Sequence, residues 1–356
     1  MLQKLSITAL VGLFSSVVSL VNADCTYSGG NYYCAQTDAI IYSNVGLSAT
    51  YQDVTNMDES SCACTQADFT ASGSLAPFNE ELSVHFRGPI ELLQFGVYYP
   101  NGESNALKKR SEKQSIESCK EGEAVVSRHK HQHKRDVAVE YVQVTSTVYV
   151  DSNGQTVTAD STNTVVDGVS GAASAQALGD VTIKSGNEFM IFSGEECSGN
   201  NGDCGYYREG IPAYHGFGGA DKIFVFEFSM PSDTSGSAYN QDMPAIWLLN
   251  AKIPRTLQYG DASCSCWKTG CGEMDLFEIL TAGSDKLISH IHDGQDGGTQ
   301  DYFERPTDGT LKAAVIFNSS DKTIHIIEVD ESFDATLSDD VVDQWLSKSG
   351  SSAALP

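Results

Sequence analysis

Hydrophobic residues recur along this chain in short runs that fit strands better than helices. From about residue 181 onward, turn residues separate the runs FMIFSG, KIFVFEFSM, PAIWLLN, EMDLFEIL, KLISHIH, KAAVIFN and TIHIIEV. Many short strands without crossover helices predict antiparallel sheets in a sandwich or barrel. The tail LSDDVVDQWLSK has helical spacing and predicts a short terminal helix.

A smaller unit is predicted over residues 24–103, which are rich in Cys, Tyr, Gly and Ser. SVHFRG and IELLQFGVYY indicate strands, and Gly and Pro residues bound them. We therefore expect a small disulfide-stapled β domain ahead of the larger β domain, which we assign to residues 181–356.

The segment between these units changes character. Residues 104–136 are polar and charged, predicting a disordered linker, and dibasic pairs end at Arg110 and Arg135. Such exposed pairs are typical of cleavage sites for a furin- or kexin-type processing protease, although a solvated linker with incidental basic pairs would look the same.

The alternating histidines 129, 131 and 133 could bind a metal, but we interpret them as part of a flexible basic segment. Residues 137–180 are rich in Thr and Ser and predict a β segment followed by a linker.

The first 23 residues predict a secretory signal peptide cut after Ala23. Lys4 precedes an apolar stretch that ends in small residues, and the run is short for an uncleaved anchor helix. No later stretch predicts a membrane span. We therefore expect a secreted, extracellular protein.

The negative net charge of the chain limits the classes of molecule that it can bind. The formal net charge is −25, and nine of the 22 Lys and Arg residues lie between Lys108 and Arg135, so the folded parts are more acidic still. Such a surface repels nucleic acid and anionic membranes and suits a neutral partner.

Ten cysteines agree with secretion, and we expect disulfides rather than zinc. They fall into groups of four, one and five along the chain. The first four can close among themselves, so Cys119 is expected to pair with one of the last five. A single glycosylation sequon begins at Asn318, between two predicted hairpin strands.

Three carboxylates interrupt the apolar run CGEMDLFEIL, namely Glu273, Asp275 and Glu278. Alternation along a strand puts Glu273 and Asp275 on one face, while Glu278 would fall on the other. One bulge near Phe277 brings all three acids to the same face. An exposed acidic strand face is the plain alternative.

Such a set suits glycoside hydrolysis. The two glutamate α-carbons would lie about 13 Å apart along the strand. Their side chains could lean together to about 5 Å, the separation that a retaining glycosidase needs. One glutamate would then attack the anomeric carbon while the other protonates the leaving oxygen, and the aspartate couples them.

GEMDLFE resembles the catalytic strand of glycoside hydrolase family 16, the β-jelly-roll glucanases with a concanavalin-like sandwich. FEFSMP, MPAIWLLN and Trp267 match that family's pieces in order and spacing. The resemblance implies that Glu273 is the nucleophile, Asp275 the assisting acid and Glu278 the general acid/base. The whole chain resembles a fungal cell-wall family described as endo-β-1,3-glucanases.

Sugar clefts also need aromatic platforms and hydrogen-bonding groups. We propose Trp267, Trp247 and His292 as substrate contacts, with core packing as the alternative for Trp247 and a structural role as the alternative for His292. His290 and His292 are expected to share a strand face. No cofactor or metal ion is expected at the site.

These observations predict an all-β secreted glycosidase acting on wall β-glucan with retention of configuration. Two alternatives stay open. A sugar hydroxyl in place of water would make the protein a transglycosylase, or the acids could belong to a non-catalytic structural or carbohydrate-binding wall protein.

Overall fold

The computed structural model describes residues 25–46, 49–58, 60–61, 63–100, 181–208, 213–258, 261–334 and 336–356, with strand backbone at 140–143, 147–151 and 156–157. The predicted signal peptide, the linker 104–136 and both dibasic pairs lie outside these residues.

The chain forms strands along most of its described length. In order they are β1 (Thr26–Ser28), β2 (Asn31–Tyr33), β3 (Ala39–Ser43), β4 (Ala49–Asp58), β5 (Ala63–Ala71), β6 (Leu82–Arg87), β7 (Ile90–Pro100), β8 (Glu140–Gln143), β9 (Thr147–Asp151), β10 (Thr156–Val157), β11 (Thr182–Ile183), β12 (Glu188–Ser193), β13 (Lys222–Ser229), β14 (Ala245–Asn250), β15 (Glu273–Glu278), β16 (Lys286–His292), β17 (Gly297–Gly298), β18 (Phe303–Glu304), β19 (Leu311–Asn318), β20 (Thr323–Glu328), β21 (Thr336–Ser338) and β22 (Ser351–Ala354). The helices are α1 (Lys252–Arg255) and the predicted terminal helix α2 (Asp339–Leu346).

Two nine-stranded sheets make the body of the protein. The first has the order β10-β9-β12-β6-β14-β15-β16-β17, with β18 also on β16. The second has the order β21-β8-β7-β13-β19-β20-β3-β22, with β11 also on β7. The pairs β1–β2 and β4–β5 form separate two-stranded hairpins. The predicted all-β class is confirmed.

Strands from the early segment lie between later strands in both sheets. β6 lies between β12 and β14, and β7 lies between β8 and β13. The segments 24–103 and 181–356 therefore fold together, and the expected division into a small separate β domain and a larger one does not describe the sheets. Local strand patterns did not reveal this, because they do not specify which distant strand becomes the neighbour.

The main core lies between the two sheets. Phe86, Leu248 and Met274 of the first sheet share one buried cluster with Phe224 and Val315 of the second. β13 is buried on both faces, because its other face packs in a second cluster under α2. That explains its almost continuous apolar sequence, KIFVFEFS.

Four disulfides join the described cysteines: Cys25–Cys34, Cys64–Cys264, Cys197–Cys204 and Cys266–Cys271. The expected closure of the first four cysteines among themselves is wrong, because Cys64 crosses 200 residues of sequence to Cys264. The number of cysteines in each group did not predict this bridge, because the hairpin β4–β5 folds back onto the loop ahead of β15. These bridges also use all of the last five cysteines, so the expected pairing of Cys119 with one of them is wrong. Cys62 and Cys119 themselves lie outside the described residues.

The sequon occupies the expected place, since Asn318 ends β19 and a turn leads into β20. Its glycosylation stays a prediction. Within the described residues, no helix combines the length and apolar character that crossing a bilayer requires.

Candidate active site

The acid-bearing strand β15 carries the predicted bulge. Against β14, Phe277 pairs with Ile246 and Asp275 pairs with Trp247, so Leu276 is the extra residue. The pairing with β16 shifts between Asp275 and Glu278 as well. The bulge corrects the parity of the strand, so the three acids share one face while Leu276 and Phe277 both point into the core.

The three carboxyl groups influence one another strongly. Burial raises the pKa of Glu273, and the negative charge of Asp275 raises it further. Burial and Asp275 also raise the pKa of Glu278, to about 7. Asp275 itself is buried between them. The cluster therefore retains protons at pH values where isolated carboxylates would have lost them.

Trp267, which precedes β15 in the sequence, lies directly beside the acids. Its indole Nε1–H donates a hydrogen bond to Glu273 Oε2. The side chain is 44% exposed and stands on a 3-10 turn that the Cys266–Cys271 disulfide closes. Against the ring lies a cavity of about 310 Å³ lined by Leu257, Gln258, Asp261, Ala262, Ser265 and Lys268. An exposed ring beside a cavity can receive a sugar face, so Trp267 remains our candidate platform.

Two histidines of β16, His290 and His292, share one strand face, as predicted, and they pair with Asp275 and Glu273 of β15. His292 Nε2 lies 3.6 Å from Asp275 Oδ2, and this carboxylate raises the pKa of His292 well above its usual value. The His290 ring stacks on that of His292 at 4.6 Å, while burial lowers the pKa of His290. A protonated His292 supplies positive charge to the cluster and favours the ionised form of both glutamates.

Arg87 is the functional residue that the sequence analysis missed. Its Nη2 lies 3.1 Å from Glu278 Oε1, and its Nε donates to the Met243 carbonyl oxygen at 2.7 Å. Arg87 and Glu278 both pair with Ala245, one from each side of β14. The methyl group of Ala245 is small enough to leave the guanidinium room to cross the strand. The available signal was the alternating polar pattern Ser83, His85, Arg87 on β6.

Trp247 follows the packing alternative. It pairs with Asp275 on one side and His85 on the other, and its side chain is only 4% exposed. Its ring lies 5.2 Å from the His85 ring and 5.9 Å from the Arg87 guanidinium. With almost no free surface, Trp247 packs beside Asp275 on the acid-bearing face and offers no platform for a sugar.

The hairpin β4–β5 forms one wall of the site. Tyr51 on β4 is buried in a cluster with Trp247 and Leu249, so it covers the β14 side of the face. The Cys64–Cys264 disulfide fixes the hairpin to the loop that carries Trp267. The face is therefore more open over β15 and β16 than over β6 and β14.

One group of described side chains has the proximity of metal ligands: Cys197, Cys204 and His215. The two sulfurs form a disulfide, which removes the thiolates that a metal would need. His215 Nδ1 lies 2.6 Å from Glu81 Oε1, in a structural ion pair. This group is therefore not a candidate metal centre.

Comparisons with known proteins extend over both halves of the chain. Residues 38–100 match the family model described as cell wall protein YJL171C/Tos1, N-terminal, and residues 132–345 match the corresponding C-terminal model. A relative from Saccharomyces cerevisiae, called probable circularly permuted 1,3-beta-glucanase TOS1, is 78% identical, with 100% of each chain covered. A relative of the same name from Candida albicans is 42% identical over 99% of this chain and 100% of its own. A second Saccharomyces cerevisiae relative, called probable circularly permuted 1,3-beta-glucanase YJL171C, is 37% identical over 86% of this chain and 78% of its own. No solved structure matches the chain.

Proposed function

This chain belongs to the YJL171C/Tos1 family of cell wall proteins, and we propose that it acts there as a retaining endo-β-1,3-glucanase. The family membership agrees with the wall localisation predicted from the sequence. The names of the relatives support the substrate class. The observation that carries the proposal is the bulge at Leu276, which brings two glutamates and an aspartate to one open face.

The permutation in those names has a counterpart in this chain. β22, near the carboxyl end, pairs in parallel with β3, near the amino end. A permuted order of strands places neighbours in space far apart in sequence, because old ends are joined and new ends are opened elsewhere. The insertion of early strands between later ones in both sheets supports the same interpretation.

In the first step, Glu273 attacks the anomeric carbon while Glu278 gives its proton to the leaving oxygen. The Trp267 indole and the His292 cation both stabilise Glu273 as a carboxylate. Trp267 contacts Oε2 of Glu273, which leaves Oε1 for attack. Arg87 contacts Oε1 of Glu278, which leaves Oε2 to carry the proton.

The pKa values of both glutamates are raised, so proton placement alone does not separate nucleophile from acid. Glu273 is assigned as nucleophile from the resemblance of GEMDLFE, and the hydrogen bonds are compatible with that assignment. A proton shared within the cluster near neutral pH suits both roles.

In the second step, the ester formed on Glu273 no longer carries charge. Loss of that negative charge lowers the pKa of Glu278, and the neighbouring Arg87 stabilises the resulting carboxylate. Glu278 can then act as a base that takes a proton from water as the water displaces the sugar from Glu273. The same residue thus serves as acid and then as base because its electrostatic surroundings change between the two steps.

Product analysis on end-labelled laminari-oligosaccharides tests the proposal, with the wild type beside Glu273→Gln. We expect shorter products from the wild type alone, with the new reducing end formed first as the β-anomer. Products longer than the substrate would instead establish a transglycosylase. Binding without any product would establish a non-catalytic wall protein.

We also infer that a furin- or kexin-type protease cleaves after Arg110 and Arg135. Both arginines end dibasic pairs in a polar segment between β7 and β8. Cleavage there would not separate the halves, because strands from both sides of the cut share the same sheets.

A further inference from the structure

The hairpin β1–β2 presents two aromatic side chains to solvent. Tyr27 and Tyr32 pair across the hairpin and are 62% and 53% exposed. Their ring centroids lie 4.9 Å apart, with the planes tilted by 53°. Side chains exposed to this degree contribute little to the core.

The hairpin is held firmly although it has only three residues in each strand. The Cys25–Cys34 disulfide closes its base, and the buried Tyr33 faces the Tyr302 ring at 6.3 Å. The Cys34 N–H donates to the Gln300 carbonyl oxygen at 2.8 Å. The exposed rings therefore stand on a preorganised support, which limits the entropy that a ligand would have to overcome.

This hairpin lies beside the acid-bearing strand. The backbone of Gly29 approaches Thr281 so closely that an added Cβ would lie 1.9 Å from Thr281 Oγ1. Thr281 follows Glu278 by three residues. On the β16 side, Lys286 Nζ lies 5.1 Å from the centre of the Tyr302 ring, under the hairpin. Lys286 projects from the same face of β16 as His290 and His292.

We infer that Tyr27 and Tyr32 form a second binding site for a β-glucan chain, flanking the carboxylate face at its open side. The inference rests on the proposed function for the identity of the glycan. Pyranose rings present C–H groups that pack on aromatic faces, and the tyrosine hydroxyls add polar ends for sugar hydroxyls. Two adjacent rings can hold more than one sugar unit of the same chain.

The chemistry of the hairpin favours a neutral glycan over other partners. The sequence CTYSGGNYYC contains no charged residue and offers only hydroxyl and amide groups around its aromatic rings. The rest of the chain is strongly acidic, which disfavours an anionic polymer. A neutral β-glucan chain, the substrate proposed for the adjacent carboxylate face, suits both the uncharged aromatic hairpin and the acidic remainder of the protein.

Affinity electrophoresis of the full chain in gels containing laminarin tests the inference. All proteins carry Glu273→Gln, so that retardation reports binding without cleavage. We expect Tyr27→Ala/Tyr32→Ala to weaken laminarin binding about tenfold, and Tyr27→Phe/Tyr32→Phe to stay near the parent because it keeps the rings. Tyr239→Ala is the matched control, since Tyr239 is 89% exposed but has no aromatic partner among the ring pairs of the described residues.

Unchanged retardation of the double alanine variant, with its thermal unfolding intact, would overturn the inference. Equal losses in the double alanine variant and in Tyr239→Ala would overturn it as well. Failure of the proposed catalysis can be distinguished from failure of the proposed tyrosine site. If the active chain leaves laminari-oligosaccharides intact while the gel still separates parent from double variant, the binding site stands and the hydrolase does not.

Discussion

The guanidinium of Arg87 reaches across β14 to lie 3.1 Å from the Glu278 carboxylate. The two residues are far apart in sequence and sit on strands that do not pair directly, with Ala245 between them. This ion pair opposes the effects of burial and of Asp275, both of which raise the pKa of Glu278.

Replacing Arg87 by Gln should move the pH profile of activity. Arg87 lowers the pKa of Glu278, so its removal raises that pKa, and Glu278 keeps its proton to higher pH. We expect the alkaline limb of kcat/KM on laminari-oligosaccharides to move up by about one pH unit. Arg87→Lys should restore part of the original position. A limb that stays in place in both variants would exclude Glu278 as the acid that this limb reports.

Chemical rescue should separate the roles of the two glutamates. Glu273→Ala and Glu278→Ala should each lose about a thousandfold or more in kcat on an activated aryl β-glucan substrate. Azide should then yield the α-glycosyl azide with Glu273→Ala, because it replaces the nucleophile. It should yield the β-glycosyl azide with Glu278→Ala, because it replaces the base-activated water. The reverse pattern, read by NMR, would interchange the two assignments.

The acids should make the folded protein less stable as pH rises. An unfolded glutamate has a pKa near 4.3. Glu273 and Glu278 titrate higher in the fold, so the folded state holds protons that the unfolded chain has released, and stability falls between about pH 5 and pH 8. Glu273→Gln/Glu278→Gln should therefore raise Tm by about 2–5 °C at pH 8 and much less at pH 5.

In that variant His292 keeps Asp275, the largest cause of its raised pKa, and loses only the smaller contribution of the Glu273 charge. Asp308→Asn serves as the control because Asp308 is an exposed carboxylate. A Tm gain of the same size at both pH values would contradict the prediction, since removal of titration should act only where the glutamates would ionise.

Cleavage of the linker should leave a covalently joined protein. Cys64 and Cys264 lie on opposite sides of the predicted cuts after Arg110 and Arg135. After both cuts, the two large pieces should run as one species in denaturing gels without reductant and separately with it, while residues 111–135 form a third, small piece. Cys64→Ser/Cys264→Ser should separate in denaturant without reductant, yet still elute as one particle in native gel filtration because the halves share sheets. Separation in native buffer would contradict the interleaved topology.

The features predicted from the sequence are those with a local cause. The bulge on β15 follows from the parity of Glu273 and Glu278 around an apolar run, and the shared face of His290 and His292 follows from strand alternation. Trp267 is near Glu273 in sequence, so its proximity could be expected.

The features that escaped prediction depend on distant pairing. Arg87 lies in another part of the sequence, and no local pattern states that β6 pairs with β14. The same applies to Cys64 and Cys264. Trp247 was ambiguous because a tryptophan in an apolar strand fits either face, and only the covering hairpin with Tyr51 settles that its ring is closed to solvent.

The interleaving of β6 and β7 has a consequence for biosynthesis. Both strands leave the ribosome well before β12, β13 and β14, the strands beside which they end. Their apolar faces therefore stay unpaired until strands that follow about 100 to 160 residues later have been made, at a synthesis rate of about 5–20 residues per second. Neither half can complete a sheet alone, so the chain folds late and as a whole. Nascent chains in the secretory pathway should accordingly depend on chaperones until β14 has emerged.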